Sequence, residues 1–171
     1  MRIDDALAAL SLMPDALERR LTGLGEAELQ FKPGADSFSL LENVCHLRDI
    51  EVEGYSVRLR RLLREEHPRL PDLDGTALAH ERRYNEQPLA PALAAFLAAR
   101  RANLELLRDV RTADLDRRGQ LETVGEITLR RLLELWVEHD GGHLKELDEL
   151  LAVLRDPAAS KPKPSLSLSR A

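Results

Sequence analysis

The last helical stretch of the chain carries two histidines on its apolar face. Over residues 128–156, apolar side chains recur at intervals of three and four, which predicts a long amphipathic helix. At about 100° per residue, His139 and His143 lie one turn apart and inside the apolar stripe, a spacing that suits metal binding. A buried imidazole without a hydrogen-bond partner or a metal ion is costly. The fold therefore has to supply a partner for each of the two histidines. The stripe consists of Leu129, Leu132, Trp136, Leu147, Leu150 and Leu154.

Composition favours helices in the rest of the chain. Leu, Ala, Arg and Glu dominate the 171 residues, and aromatic residues make up only 4%. The length suits a single domain, which we place at residues 1–155. The segment 156–171 is rich in proline and serine and has the composition of a disordered tail.

The hydrophobic pattern predicts an all-α, four-helix bundle. A short helix over Ile3–Leu12 and a second over Pro14–Leu21 come first. A long helix follows over residues 40–66, and Ser39 with Glu42 forms a capping-box pattern at its start. An Ala/Leu-rich helix over Pro91–Val110 and the histidine-bearing helix complete the bundle. The latter begins at Thr128 or at the preceding Gly125–Glu126 turn.

Two connections interrupt these helices. Residues 67–91 form a long, proline-punctuated crossover between the second and third bundle helices, with a short helix expected near Thr76–Tyr84. A connection of that length is typical of a functional element, such as a cover over a pocket. Residues 112–126 have the composition of a polar loop.

Charge and hydropathy exclude several functions. The net charge of −5 argues against a nucleic-acid partner. No apolar run has membrane-spanning length, and the opening residues 1–5 are too acidic for a signal peptide. We therefore expect a cytoplasmic protein that binds neither nucleic acid nor membrane and acts on a small molecule.

A third histidine lies on the apolar side of another long helix. His46 falls beside Ile50 and Val57 on that helix, whereas His67 and His80 lie among polar residues and are predicted to be solvated. Three histidines without an obvious fourth protein ligand leave a position open for water or substrate, which is the catalytic pattern. The alternative is that each is an ordinary core histidine with its own hydrogen-bond acceptor.

Several neighbouring residues have two interpretations. Asp140 and Asp49 are either carboxylates that orient a histidine or solvated helix residues. Glu146 points in nearly the same direction as the last two histidines, so it is a fourth ligand, a base acting on bound water, or the edge of a charged face. Trp136 is either core packing or a pocket wall, and Cys45 is interpreted as a buried thiol. Glu146 and Asp140 are the candidate catalytic residues.

Two known metal motifs fit poorly. In the zincin pattern a glutamate follows the first histidine, whereas here the shorter Asp140 takes that place. A phosphohydrolase arrangement through His46, His139–Asp140 and Asp148 would give His143 no role.

Two stretches, FSLLENVCHLRDIE and GEITLRRLLELWVEHDGGHLKEL, resemble the signatures of the DinB-like (DinB/YfiT) superfamily of bacterial four-helix-bundle metalloproteins. Phe96 and Arg100, four residues apart in the Ala/Leu-rich helix, also resemble the family, but Glu146 departs from it because glutamine is frequent there. Phe38 stands where the family usually has tryptophan. The matching residues are Glu42, His46, Leu47, Asp49 and Glu51 in the first stretch and Gly125, Thr128, Leu129, His139, Asp140 and His143 in the second.

The resemblance implies a function. His46, His139 and His143 would bind one divalent ion, zinc or nickel foremost and iron as a further possibility. Relatives include transferases that use a low-molecular-weight thiol, such as bacillithiol or mycothiol, and metal-dependent hydrolases. In both, the ion lowers the pKa of a bound thiol or water. The competing hypothesis is a non-catalytic, stress-related helical binding protein whose metal is structural or absent.

The resemblance also implies a homodimer. Gly141 points away from the apolar stripe of its helix, which makes it a candidate for close approach of a second subunit. A local kink of the helix is the alternative.

Overall fold

The first bundle helix is divided into two short helices. In the computed structural model, which describes residues 1–34 and 37–156, α1 spans Ile3–Ser11 and α2 spans Met13–Leu21. Pro14 lies in the first turn of α2, where its missing N–H breaks no helical hydrogen bond. The predicted division at this proline is therefore confirmed. A single turn, α3 (Glu26–Leu29), follows.

The second bundle helix changes its hydrogen-bonding pattern halfway. It consists of α4 (Leu40–Asp49), a π-helical segment (Ile50–Tyr55) and α5 (Ser56–Arg64). The predicted capping box is present: Glu42 N–H donates to Ser39 Oγ at 3.0 Å, and Ser39 N–H donates to Glu42 Oε2 at 2.8 Å. In the π segment, Ser56 N–H donates to the carbonyl of Glu51, five residues back. Such segments are frequent at functional sites, and this one contains buried Glu51.

The crossover is ordered and anchored to α4. It contains β1 (Arg69–Leu70), α6 (Gly75–Glu81) and a 3₁₀ turn (Tyr84–Glu86), and it leads into α7 (Leu89–Arg108). The predicted short helix is thus present but ends earlier, because Arg83 adopts a left-handed conformation with φ 48°. Arg82 Nη1 donates to Asp49 Oδ2 at 2.7 Å and to Glu53 Oε1 at 2.6 Å.

A small sheet replaces most of the polar loop predicted at 112–126. A 3₁₀ turn (Thr112–Asp116) precedes the antiparallel strands β2 (Arg118–Leu121) and β3 (Gly125–Thr128), and β1 pairs with β2 in parallel. The loop prediction was wrong there. Each strand has at most four residues, so the alternation that buries Leu121 and Ile127 is too short to stand out from a polar segment.

The last helix, α8, spans Leu129–Arg155 and begins directly after Thr128, one of the two predicted starts. Arg131 N–H donates to Thr128 Oγ1 at 3.1 Å. α4 packs mainly against α7, while α1 and α2 pack against α8, which gives the predicted four-helix bundle. The tail beyond residue 156 lies outside the described residues. Within the described ranges, no helix is both long and apolar enough to cross a membrane.

A layer of charged residues divides the bundle core in two. One apolar cluster contains Leu59, Leu132 and Trp136 and adjoins the sheet. The other contains Leu17, Val44 and Leu147. On α7 and α8, buried polar side chains separate the residues of one cluster from those of the other. With Glu51, these side chains form the charged layer, which consists of Glu51, Arg100, Asn103 and Asp140.

Candidate metal centre

Three histidines from two bundle helices meet at one point in the interior. His46 lies on α4, and His139 and His143 lie one turn apart on α8. Each offers a ring nitrogen, and these three atoms all lie within 4.8 Å of one another. His46 Nε2 lies 3.2 Å from His139 Nε2. The structure therefore brings together the three residues that the sequence predicts as metal ligands.

The distances between the ring nitrogens fit a metal ion. Tetrahedral zinc with imidazole nitrogens at about 2.0–2.1 Å would place neighbouring nitrogens about 3.3 Å apart, close to the separation of His46 and His139. Ordinary core histidines would each need a hydrogen-bond partner. Yet Nδ1 of His46 and Nδ1 of His139 are buried and have no partner among the described residues. An ion held by the Nε2 atoms would leave both Nδ1 atoms equally without a partner, so the distances between the ring nitrogens are what favours a metal ion.

Asn43 orients His143. Asn43 is fully buried one turn before His46, and its Nδ2 donates to the carbonyl of Ser39 at 3.0 Å. Its Oδ1 therefore faces His143 Nδ1, at 2.7 Å. Because an amide oxygen only accepts hydrogen bonds, this contact places the imidazole proton on Nδ1 and leaves the Nε2 lone pair for a metal ion.

Replacing Asn43 with leucine is expected to weaken metal binding about 10–100-fold, the usual effect of losing a group that orients a metal-bound histidine. The measurement is the dissociation constant for Zn²⁺ in a chelator competition. Asn43→Asp, which keeps an acceptor oxygen, should bind metal more tightly than Asn43→Leu. Equal affinities of the leucine variant and the wild type would show that Asn43 does not orient His143.

His46 is held between the crossover and the segment before α4. Its ring lies 5.5 Å from that of Phe38 between centroids, and the backbone of Gly75 lies against its other atoms. A Cβ at residue 75 would lie 2.6 Å from His46 Nδ1 and overlap Cε1, so glycine is needed for this close approach. The crossover therefore covers part of the site, as its length predicts.

Burial keeps the imidazoles of His46 and His139 neutral. Burial, and after it the neighbouring His143 and His139, lower the pKa of His46 from 6.5 to about 3. Burial also lowers the pKa of His139. A neutral imidazole is the form that binds a metal ion, so both side chains stand ready for coordination near neutral pH.

The metal-free protein is expected to lose stability as the pH falls below about 6.5. The unfolded chain then protonates His46, whereas the folded chain takes up that proton only near pH 3, so protons favour unfolding between these values. Ion-paired carboxylates lose their contribution only near or below pH 4. Urea denaturation at pH 7.0 and 5.5 measures the effect. The loss should shrink in His46→Gln, and an equal loss in both proteins would contradict the assignment.

An open cavity of about 610 Å³ leads from these histidines to the surface. His46, His143 and Asn43 line its inner end, and His139 lies behind them, with its ring 5.7 Å from that of Tyr55. Gly75 and Thr76 of the crossover contribute to the wall. A volume of this size accommodates a small organic molecule.

Glu146 is the candidate catalytic residue that faces the cavity. Its Oε2 lies 3.1 Å from His143 Nδ1, the nitrogen that also contacts Asn43. The hydrogen bond with His143 lowers the pKa of Glu146, so this carboxyl is ionised near neutral pH. Glu146 contacts Nδ1 of His143 and does not belong to the cluster of three histidines that could hold a metal ion.

Asp140 does not face the cavity. Its Oδ1 is 3.9 Å from His139 Nδ1, too long for a hydrogen bond. Both of its oxygens accept from Arg100 instead, at 2.6 Å and 3.0 Å. Burial alone would raise the pKa of Asp140, but His139 and Arg100 lower it overall. As a candidate catalytic residue it is misplaced, since it lies behind His139 and supplies negative charge there.

Arg100 is the centre of the charged layer. It is 1% exposed, and all five of its N–H groups donate, to Glu51, Asp140 and the carbonyl of Leu10. Burial raises the pKa of Glu51. However, the contacts of Glu51 with Arg100, Asn103 and Trp136 are all from N–H donors, which leaves no acceptor for a carboxyl proton. The layer thus carries one positive and two negative charges next to the histidines.

Asp49 and Trp136 also lie away from the cavity. Asp49 accepts hydrogen bonds from Arg48, Arg82 and Tyr84, and it has no direct contact with a histidine among the described residues. It fixes the crossover instead of orienting a ligand. Trp136 is fully buried, stacks on Tyr55 at 4.5 Å and donates to Glu51, so it belongs to the core and not to the pocket wall.

Other predictions concern residues outside the cavity. Cys45 is buried, and burial raises the pKa of its thiol to about 11, which matches a structural thiol. His80 is exposed, and so is His67, whose ring contacts Glu126. Gly141 is exposed, and a Cβ there would meet nothing within 4 Å, which leaves the surface free for a second subunit.

Sequence reasoning missed Asn43 and Gly75 as parts of the site. Asn43 precedes His46 by three residues and therefore shares its side of the helix, which was an available signal. No local signal marks Gly75, because its role depends on where the crossover is folded against α4.

Comparison with known proteins agrees with this geometry. Residues 9–147 match the sequence model of the DinB superfamily. The chain belongs to the DinB superfamily. A relative from Oceanobacillus iheyensis named "Putative metal-dependent hydrolase" is 22% identical over 148 residues, which cover 86% of this chain and 85% of the relative.

A solved structure shows the same fold. YfiT from Bacillus subtilis, described as "a probable metal-dependent hydrolase with an unusual four-helix bundle topology", superposes with a TM-score of 0.82. The match covers 90% of this chain and 88% of YfiT at 21% sequence identity. The bundle predicted from the sequence is therefore confirmed, and DinB-superfamily membership accounts for it.

Proposed function

We propose that this protein is a metal-dependent hydrolase of a small molecule, in which His46, His139 and His143 hold one divalent ion. The observation that carries the proposal is the convergence of three imidazoles, two of which line the inner end of an open cavity. The names of two relatives, "Putative metal-dependent hydrolase" and "a probable metal-dependent hydrolase", support water as the nucleophile. Three protein ligands leave a position free for water or substrate.

The protein's own residues would prepare the site for a bound ion and its substrate. A bound ion would lower the pKa of water or a thiol and so supply a nucleophile near neutral pH. Asn43 fixes the tautomer of His143, Gly75 and Phe38 fix the ring of His46, and the ionised Glu146 accepts hydrogen bonds at the cavity wall. The charged layer behind His139 adds net negative charge that favours a cation.

Transfer of a low-molecular-weight thiol is the second candidate function. The cavity of about 610 Å³ leaves room for a thiol together with a small electrophile. Zinc, nickel or iron would each suit three imidazoles, since affinity order alone does not select among them. A homodimer is the assembly we propose, with the exposed surface at Gly141 as its contact.

The test uses zinc- and nickel-loaded protein with a panel of chromogenic esters, with and without added cysteine, and with monochlorobimane as a thiol acceptor. Ester cleavage that needs metal but no thiol, and that is lost in His143→Ala, would support hydrolysis. Bimane conjugation only in the presence of thiol would support transfer. If neither reaction occurs, and chelation only lowers the melting temperature, the protein is a binding module with a structural metal.

A further inference from the structure

The outer half of the cavity is lined by carboxylates and apolar side chains. Glu146 and Glu149 lie on the same side of α8, and both line the cavity beyond His143. At about 1.5 Å per residue, they lie about 4.5 Å and 9 Å further along the helix axis than His143. Phe38, Leu150 and Val153 supply apolar surface next to them. A ligand that touches the histidines would thus extend along two negative charges.

Cations of the protein neutralise these carboxylates only weakly. Among the described residues that line the cavity, none is a lysine or arginine. Lys145 Nζ lies 3.7 Å from Glu149 Oε1, but their side chains are 80% and 66% exposed, and an exposed pair of this kind contributes little. Lys32, next to cavity-lining Pro33, is bound to Glu42 at 3.0 Å. Glu146 has its contact with His143, and its Oε1 accepts no hydrogen bond from the described residues.

The two ends of the cavity therefore attract opposite charges. A divalent ion on the three histidines attracts an electron-rich oxygen or sulfur atom at the inner end. Glu146 and Glu149 attract a positive group at the outer end. The two carboxylates lie within about one Debye length of each other and of a ligand in the cavity, so their attraction is only partly screened. A second carboxylate on the ligand would be repelled there.

We propose that the substrate is a small organic cation: an electron-rich head that reaches the histidines, an apolar spacer, and an ammonium or guanidinium group that lies beside Glu146 and Glu149. This proposal rests on the metal-dependent function proposed above and adds the substrate class. Glu146 and Glu149 then determine specificity by charge, and the apolar wall formed by Phe38, Leu150 and Val153 packs against the spacer.

Matched hydroxamates test the proposal. The probes are 6-aminohexanohydroxamic acid, hexanohydroxamic acid and the monohydroxamate of adipic acid, which share a metal-binding head and differ in the charge of the tail. Each is titrated into full-length protein loaded with Co²⁺, and the visible spectrum of the ion reports engagement of the head. The ammonium probe is expected to bind about fivefold more tightly than the neutral probe, and the carboxylate probe more weakly still.

Variants locate the origin of this preference. Glu149→Gln should reduce it, and Glu146→Gln/Glu149→Gln should abolish it, with the neutral probe as the internal reference in each variant. Glu138→Gln on the same helix removes one negative charge, as Glu149→Gln does, but Glu138 does not line the cavity. This control variant should leave the preference unchanged. A higher salt concentration should weaken the preference in the wild type.

The outcomes separate the two proposals. If all three probes change the cobalt spectrum but bind equally, the cationic substrate class is wrong and the metal site stands. A preference that survives in the double variant would also overturn the assignment to Glu146 and Glu149. If no probe changes the spectrum, the metal-dependent function fails, and the substrate class fails with it.

Discussion

Arg100→Met is expected to lower the free energy of unfolding by about 3–5 kcal/mol, the usual cost of removing one partner from a buried ion pair. Arg100 is 1% exposed and is the cation that contacts both Glu51 and Asp140. Methionine would fill most of the volume but would leave two buried carboxylates facing each other without a positive charge. Urea denaturation of the metal-free protein measures the loss.

Arg101→Met is the matched control for this variant. Arg101 is the next residue on α7 but is exposed, so its replacement should change the stability by about 0.5 kcal/mol or less. If Arg100→Met cost less than about 1 kcal/mol, the charged layer would not be a stabilising network of the metal-free fold. The account of the core as two apolar clusters joined by this layer would then be wrong.

Gly75→Ala is expected to weaken metal binding about 10–100-fold, the range seen when groups that orient a metal ligand are changed. The added Cβ would lie 2.6 Å from His46 Nδ1, so either the imidazole or the crossover has to move. Arg82 resists movement of the crossover, because it is bound to both Asp49 and Glu53. The imidazole is therefore the group that shifts. Chelator competition with Zn²⁺ measures the loss.

Gly142→Ala is the control for this variant. Gly142 is also helical and immediately precedes the ligand His143, but a Cβ there would meet nothing within 4 Å. Alanine should leave metal affinity unchanged and raise the free energy of unfolding by up to about 1 kcal/mol, because glycine disfavours a helix interior. Wild-type affinity in Gly75→Ala would show that the contact between Gly75 and His46 does not position the ring.

Much of the site could be predicted because helical periodicity assigns faces. The spacing of His139 and His143 and the apolar stripe around them place both imidazoles inward from sequence alone. His46 could be placed on a facing helix by the same argument. The partners of these histidines could not be predicted, because Asn43 and Gly75 act across helices and their roles depend on tertiary packing.

The charged layer and the sheet show what local patterns leave out. Glu51, Arg100 and Asp140 come from three different helices, and no local spacing in the sequence states that they pair. For the same reason the sequence left Asp140 either orienting a histidine or solvated, whereas it is buried and Arg100 binds both of its oxygens. The strands are too short for their alternation to be recognised, and the parallel pairing of β1 with β2 joins segments about fifty residues apart.

The metal content of the protein tests the central claim most directly. Protein purified without an affinity tag is stripped of metal, dialysed against zinc or nickel and measured by elemental analysis, with His143→Ala in parallel and circular dichroism as a check of folding. The account predicts a single divalent ion per wild-type chain and almost none in the folded variant. Substoichiometric metal in the wild type, or the same amount in His143→Ala, would contradict the three-histidine centre.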